Sequence, residues 1–317
     1  MAESITVQQL VDSLRQTFDL TLLAGGSGVT NRLTTSELNR PGLAMSGYFE
    51  HFAQRRVQIL GNTETSYLMS LPDDVARQRM ERLFEFAIPV FFVSSGNAPP
   101  PVFLEFAEAH HMPVYATQVP TSRFALRVAA LMERLLAPET KIHGVLVDVH
   151  GLGTLLLGRS GVGKSECALE LIERGHRLVA DDVVVVQRMG KDQLLGRASD
   201  VLRFHMEIRG VGVIDIEALY GVNSIALEKD INLIVRLENW DQSKQYERLG
   251  LEQQTYAIFD VEIPEYVIPV EPGRNLAVLV EVAALTQRLK NQGINPATAF
   301  NEALIRRMSS PPQSAAG

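Results

Sequence analysis

The first 140 residues alternate between short apolar runs and longer segments of helical periodicity. The runs "RVQIL" (56–60), "AIPVFFVSS" (87–95) and "MPVYAT" (112–117) are typical of buried strands. Between them, "DVARQRMERLFEF" (74–86) and "PVFLEFAEAHH" (101–111) carry apolar side chains at helical spacing. Because strands that alternate with helices usually form βα units, this part is predicted to be a small α/β domain with a mainly parallel sheet.

A long amphipathic segment, "SRFALRVAALMERLLAP" (122–138), closes the first part with a predicted helix that ends at a proline. The use of basic residues also changes here, because the chain contains no lysine before Lys141. We therefore predict an N-terminal domain over residues 1–134 and a second domain over residues 135–317.

The second part is predicted to contain more strand than helix. It opens with "HGVLVDVHGLGTLLLG" (143–158), which indicates two strands about a glycine-containing turn, and continues with the helix "KSECALELIERG" (164–175). Further β-branched runs and two closing helices follow, at 176–187, 209–216, 231–241, 274–290 and from Pro296 onward. The predicted fold is α/β, with a strand-rich core and C-terminal helices in the second domain.

Composition and charge narrow the class of protein. The chain is 46% hydrophobic and 21% charged, as globular domains are, and its net charge of -7 includes no long basic run that would bind nucleic acid. No apolar run approaches the roughly 20 residues that span a bilayer, and the N-terminus lacks a signal-peptide pattern. The single cysteine, Cys167, excludes an intramolecular disulfide and fits a reducing compartment. We predict a cytoplasmic protein that binds neither membrane nor nucleic acid.

A phosphate-binding loop lies midway along the chain, between a predicted strand and a predicted helix. The pattern G-x4-G-K-S is satisfied by Gly158, Arg159, Ser160, Gly161, Val162, Gly163, Lys164 and Ser165. Its backbone N–H groups would face the phosphates, Lys164 would reach the β- and γ-phosphates, and the Ser165 hydroxyl would bind Mg²⁺. The predicted ligand is a nucleoside triphosphate.

Two adjacent acids, Asp181 and Asp182, follow the next β-branched run. One of them can face the nucleotide, either to bind magnesium or to accept a proton from an attacking hydroxyl, and their spacing does not decide between these roles. The ordinary alternative is a turn with two solvated carboxylates.

Other polar residues have plain structural interpretations when taken alone. From the local pattern, His143 would be a turn residue or a satisfied residue of the partial core, and Glu207 would lie on the solvated face of a strand. Arg248 would be an ordinary surface arginine, and Cys167 would be a small packing residue. We expect no metal site among the remaining histidines of this part, because their spacing does not fit one: His150, His176 and His205.

The segment "HGVLVDVHGLGTLLLGRSGVGKSECALELIERGHRLVADD" (143–182) resembles the bifunctional HPr kinase/phosphorylase family. These bacterial enzymes phosphorylate and dephosphorylate a serine of the phosphocarrier protein HPr. Three later blocks agree with the family in order and spacing, at 206–221, 231–251 and 268–284. The resemblance covers most of residues 142–290, whereas the N-terminal part resembles the family's accessory domain only in length and general α/β character.

The resemblance implies roles for residues of the P-loop and its surroundings. Gly158 to Ser165 would bind ATP, and Lys164 would neutralise the transferring phosphoryl group. Asp182 would accept the proton in the forward reaction and donate it in reverse, while Ser165 and Glu207 would bind Mg²⁺.

The resemblance also implies roles for residues outside the P-loop. His143 would orient or tune Asp182, and Arg248 would stabilise phosphate charge. Residues 206–215 would serve both reactions, and Pro269 to Arg274 chiefly dephosphorylation. Arg159 departs from the acidic or small polar residue that is usual in the family. We expect this difference to adjust the properties of the P-loop and not to change its identity as a phosphate-binding loop.

The implied function is phosphorylation of HPr by ATP and its reversal by inorganic phosphate, which gives pyrophosphate and regulates carbon metabolism. The implied assembly is a homohexamer. Two alternatives stay open: a P-loop kinase of a small metabolite, although no arginine-rich lid segment is evident, and a nucleotide-dependent regulatory switch.

Overall fold

The structure, a computed structural model, describes residues 4–199, 203–244 and 253–309, and it divides the chain into two compact units. The units are Met1–Pro138 and Glu139–Gly317. Their boundary follows the end of a helix at Leu136 and lies a few residues beyond the position predicted from the sequence.

The first unit contains seven described strands and six described helices. The strands are β1 (Ile5–Thr6), β2 (Thr21–Ala24), β3 (Arg32–Leu33), β4 (Leu38–Asn39), β5 (Val57–Leu60), β6 (Phe91–Val93) and β7 (Val114–Ala116). The helices are α1 (Val7–Arg15), α2 (Gly42–Met45), α3 (Asn62–Ser70), α4 (Asp73–Phe84), α5 (Pro101–Ala109) and α6 (Thr121–Leu136).

A five-stranded sheet of order β2-β7-β6-β5-β4 forms the centre of the first unit within the described residues. Strands β4 to β7 pair in parallel, as predicted, and β2 adds an antiparallel edge. Because successive side chains of a strand point to opposite faces, Ile59 packs into one apolar cluster and Leu60 into another. Helices therefore cover both faces of this sheet.

Helix α1 was not predicted from the sequence. It begins with a capping box, in which the Thr6 hydroxyl accepts from the Gln9 backbone N–H and the Gln9 side chain accepts from the Thr6 N–H. One face of the helix is buried, through Val7, Leu10, Val11 and Leu14. Polar residues interrupt these four apolar positions, so the segment has no continuous apolar run that would indicate a helix.

The second unit contains eleven described strands and four described helices. The strands are β8 (Glu139–His143), β9 (Val145–Val149), β10 (Leu152–Gly158), β11 (Arg177–Ala180), β12 (Val183–Met189), β13 (Gln193–Ala198), β14 (His205–Ile208), β15 (Gly212–Asp215), β16 (Glu228–Asn239), β17 (Gln254–Ile258) and β18 (Val261–Val270). The helices are α7 (Lys164–Glu173), α8 (Ile216–Tyr220), α9 (Leu276–Asn291) and α10 (Pro296–Ser309).

The main sheet of the second unit has the order β11-β9-β10-β16-β13-β12-β8, and the hairpin β17–β18 joins it through β16. Strand β10, which leads into the P-loop, pairs in parallel with β16 and antiparallel with β9. Leu156 packs on one face of the sheet with α7 and α9, whereas Leu155 and Leu157 pack on the other. The P-loop thus follows a strand that is buried on both faces.

The predicted α/β class, with a strand-rich second domain and C-terminal helices, is confirmed. The run 176–187 forms two strands, and Asp181 and Asp182 make the turn between them. None of the described helices has the length and apolar character required to cross a bilayer.

Candidate functional site

The P-loop follows β10 and ends where α7 begins at Lys164. Three of its residues have φ angles that L side chains rarely adopt: Gly158 (+150°), Gly161 (+78°) and Gly163 (+102°). Glycine has no Cβ and tolerates this backbone, so the local sequence determines the shape of the loop. The result is a run of backbone N–H groups at the N-terminus of a helix, which is a ready anion site.

Gly158→Ala is expected to destabilise the second unit more than a glycine substitution at another position of positive φ. A Cβ at Gly158 would lie 2.5 Å from the carbonyl oxygen of Leu237 and 2.9 Å from Cγ1 of Val162. The backbone strain costs about 1 kcal/mol or more, and the steric overlap adds about 1–3 kcal/mol. Urea unfolding followed by the fluorescence of Trp240, the sole tryptophan, measures the effect.

The matched control is Gly151→Ala, because Gly151 also has a positive φ (+88°) but open space around the position of a Cβ. It therefore carries the backbone strain without the overlap. Equal losses of stability in the two variants would show that Gly158 is required only for its φ angle.

Lys164 is buried with 7% of its surface exposed, and its ammonium group lies against the loop. Its Nζ donates to the carbonyl oxygens of Gly158 (3.1 Å) and Arg159 (3.2 Å). The side chain of Arg159 is exposed. The positive charge of Lys164 is therefore held at the centre of the loop, where a terminal phosphate would meet it.

Asp181 joins the P-loop helix to the hairpin β14–β15. The Ser165 hydroxyl donates to Oδ1 of Asp181 (2.9 Å), and the backbone N–H of Glu207 donates to Oδ2 (3.2 Å). Burial raises the pKa of Asp181, and the hydrogen bond from Ser165 partly offsets that effect. A carboxylate beside a P-loop hydroxyl is the arrangement that binds Mg²⁺ in many P-loop enzymes. The oxygen donors present therefore fit a magnesium ion.

Asp182 faces a different partner from Asp181. Its Oδ1 lies 3.0 Å from Nδ1 of His143, and both side chains are more than half exposed. Antiparallel pairing of β8 with β12 places His143 opposite Val183, the residue after Asp182. Asp182 has a left-handed backbone (φ +66°), and its carbonyl oxygen accepts from the N–H of Gly144 (3.0 Å). The carboxylate of Asp182 is thus oriented by an imidazole and open to a substrate.

Arg209 also lies against the P-loop, although sequence reasoning singled out only the segment that contains it. Its Nη1 lies 2.8 Å from the position that a Cβ at Gly161 would occupy. The side chain of Glu207, two residues earlier, is exposed, and its backbone is the part that contacts Asp181. The guanidinium of Arg209 brings a positive charge to the loop at Gly161, in addition to that of Lys164.

A cavity of about 730 Å³ opens beside the P-loop and His143. One wall is formed by Gly158, Arg159 and Val162, and another by the end of β16 and the residues that follow it. The second wall includes Glu238, Asn239, Trp240, Asp241 and Lys244. This volume is that of a small-molecule site, and it borders part of the phosphate loop and His143, the partner of Asp182.

The remaining predicted positions are Arg248 and the segment Pro269 to Arg274. Arg248 falls outside the described residues. Pro269 lies near the end of β18, and the residues after Val270 up to Arg274 lead toward α9, where Arg274 donates to the carbonyl oxygen of Pro269 (3.4 Å). Cys167 packs in the core of the second unit, and burial raises its pKa to about 12, so its thiol stays neutral and is a poor nucleophile.

Known proteins match this chain over nearly its whole length. The model of the HPr Serine kinase C-terminal domain matches residues 134–304, and that of the HPr Serine kinase N terminus matches residues 5–132. An HPr kinase/phosphorylase of Geobacter sulfurreducens is 47% identical over 305 residues, which cover 96% of each chain. Another, of Caldanaerobacter subterraneus subsp. tengcongensis, is 43% identical over 306 residues, which cover 96% of this chain and 99% of the relative.

A solved structure of the Hpr(Ser) kinase/phosphatase from Coxiella burnetii is also similar. It is 30% identical in sequence and superimposes with a TM-score of 0.47. The match covers 51% of this chain and 99% of that one.

Proposed function

The chain belongs to the HPr serine kinase family, and from this premise we propose that its second unit transfers a phosphoryl group between ATP and a serine of HPr. The relatives that match nearly its whole length are HPr kinase/phosphorylases, so the bifunctional enzyme predicted from the sequence is confirmed. The observation that carries the site assignment is the contact of Asp182 with His143, because His143 lines the same cavity as Gly158, Arg159 and Val162 of the P-loop.

In the forward reaction the serine hydroxyl of HPr attacks the γ-phosphorus of ATP. The bond between that phosphorus and the bridging oxygen breaks, and ADP leaves. The serine proton passes to the carboxylate of Asp182, which His143 holds in orientation at 3.0 Å. Lys164 and Arg209 bring positive charge to the oxygens on which negative charge develops.

In the reverse reaction an oxygen of inorganic phosphate attacks the phosphorus of phosphoserine. The bond to the serine oxygen breaks, pyrophosphate forms, and protonated Asp182 returns its proton to that oxygen. One site serves both directions because the P-loop binds a phosphate in each case. The same residues are therefore required by both activities.

The magnesium site is assigned to the oxygen donors around the P-loop. Ser165 and the buried Asp181 would bind the ion, with Glu207 on the adjacent hairpin as the further carboxylate. Bound Mg²⁺ supplies charge neutralisation at the phosphates. Asp181 is an addition to the sequence-based assignment, which named Ser165 and Glu207 for the metal and Asp182 for the proton.

The proposal is tested by incubating the full chain with purified HPr, ATP and Mg²⁺, and then with phosphoserine-HPr and excess inorganic phosphate. The first reaction is expected to yield phosphoserine on HPr, and the second to yield equal amounts of HPr and pyrophosphate. ATP hydrolysis without labelled HPr would favour a nucleotide-dependent switch, and labelling of a small metabolite instead of HPr would favour a metabolite kinase.

The homohexamer implied by the family resemblance and the cytoplasmic location predicted from the composition and sequence pattern stay predictions. Light scattering of the purified chain measures the first. Cell fractionation with an antibody against the chain measures the second.

A further inference from the structure

Three metal-binding side chains meet at the end of α7 that is remote from the P-loop. His150 lies in the turn between β9 and β10, His176 immediately precedes β11, and Glu281 lies in α9. One donor atom from each residue lies within 4.8 Å of the other two. The fold thus brings His150 and His176 together with Glu281, although their spacing along the chain predicts no metal site.

We propose that His150, His176 and Glu281 form a binding site for a divalent transition-metal ion of the zinc class. Two imidazoles and one carboxylate are a donor set that zinc uses in proteins, and three protein ligands leave a position for water or another ligand. Imidazole does not suit Mg²⁺, which prefers oxygen donors. This site is therefore chemically distinct from the proposed magnesium site at Ser165 and Asp181.

The contacts within the cluster orient two of the ligands. Nε2 of His176 lies 2.9 Å from Oε1 of Glu281, and the His176 side chain is only 6% exposed. The other carboxylate oxygen, Oε2, accepts from Nη1 of Arg174 at 3.3 Å. Arg174 thus binds one carboxylate oxygen of Glu281, while the other oxygen, Oε1, faces His176. An outer partner of this kind commonly positions a metal-binding carboxylate.

The third residue, His150, lies beside the His176–Glu281 pair, which does not need it for its own contact. Its ring lies 4.6 Å from that of His176, edge to face, so a second imidazole approaches the first on the side exposed to solvent. Arg174 brings positive charge nearby, but it also contacts Glu170 (3.2 Å). The donor set therefore includes one carboxylate, that of Glu281, and it is open to solvent at the exposed His150, where an ion can enter.

The position of the site predicts a structural role. Helix α7 begins in the P-loop at Lys164 and spans about 15 Å, so the cluster lies far from the phosphates. The three ligands come from the start of β10, the start of β11 and the middle of α9. Strand β10 ends at Gly158 of the P-loop, and β11 ends at Ala180, directly before Asp181, so a bound ion would connect the elements that carry the active site.

The test is a calorimetric titration of the full chain, without an affinity tag, with Zn²⁺ in the presence of excess Mg²⁺. The variant is His150→Asn, because asparagine tolerates the left-handed backbone of His150 (φ +51°) and is a poor zinc ligand. The control is His51→Asn, which changes another exposed histidine with a similar backbone (φ +60°) in the first unit.

One zinc ion per chain is expected for the wild type, with at least about 10-fold weaker binding in His150→Asn and unchanged binding in His51→Asn. Glu281→Gln is expected to weaken binding to a similar extent. Zinc should also raise the thermal midpoint of the wild type more than that of either cluster variant. The proposal is overturned by a wild type that binds no zinc, by equal affinity in His150→Asn, or by an equal loss in His51→Asn.

Discussion

Asp182→Asn is expected to lower phosphorylation of HPr and its reversal together, each by about 10²–10⁴-fold, while ATP binding is retained. Asparagine has nearly the same shape but is not a base, so it cannot accept the serine proton or return it in the reverse reaction. Asp182 lies outside the hydrogen bonds that hold Lys164 and Ser165, so the nucleotide site should persist. The rates are measured with HPr and phosphoserine-HPr, and ATP affinity by calorimetry.

The matched control is Asp260→Asn. Asp260 is also an exposed aspartate with a left-handed backbone (φ +62°), in the turn between β17 and β18. It should leave both activities unchanged. Phosphorylation at the wild-type rate in Asp182→Asn would remove this carboxylate from the mechanism, and loss of only one direction would contradict a shared proton acceptor and donor.

Lys164→Met is expected to reduce both activities by about 10³-fold and to weaken ATP binding as well. The substitution removes the positive charge at the centre of the loop. It also leaves the carbonyl oxygens of Gly158 and Arg159 without the donor that they have now. Unlike Asp182→Asn, this variant should therefore lose affinity for the nucleotide together with the rate.

Lys191→Met provides the comparison, because Lys191 is an exposed lysine in the turn between β12 and β13 of the same unit. Its substitution should change neither rate nor affinity. Full ATP affinity in Lys164→Met would contradict the placement of this ammonium group at the phosphates, and circular dichroism of both variants shows whether the fold is retained.

The sequence predicted most reliably the features that depend on consecutive residues. The P-loop is defined by eight successive positions, and its glycines determine the backbone without help from distant residues. The same holds for α4, α5, α6 and α9, each of which has a local apolar periodicity. Helix α1 was missed because its apolar face is short and is interrupted by polar residues.

The sequence by itself therefore determined the family, the α/β class and the phosphate loop, whereas the tertiary structure distinguished the two acids and placed the residues around them. Asp181 faces Ser165 and Asp182 faces His143, because a turn between β11 and β12 directs the two side chains to different partners. The approach of Arg209 to Gly161 likewise joins residues that are distant along the chain. Such contacts depend on strand order and register, which arise from the packing of the whole sheet and are not encoded in any short segment.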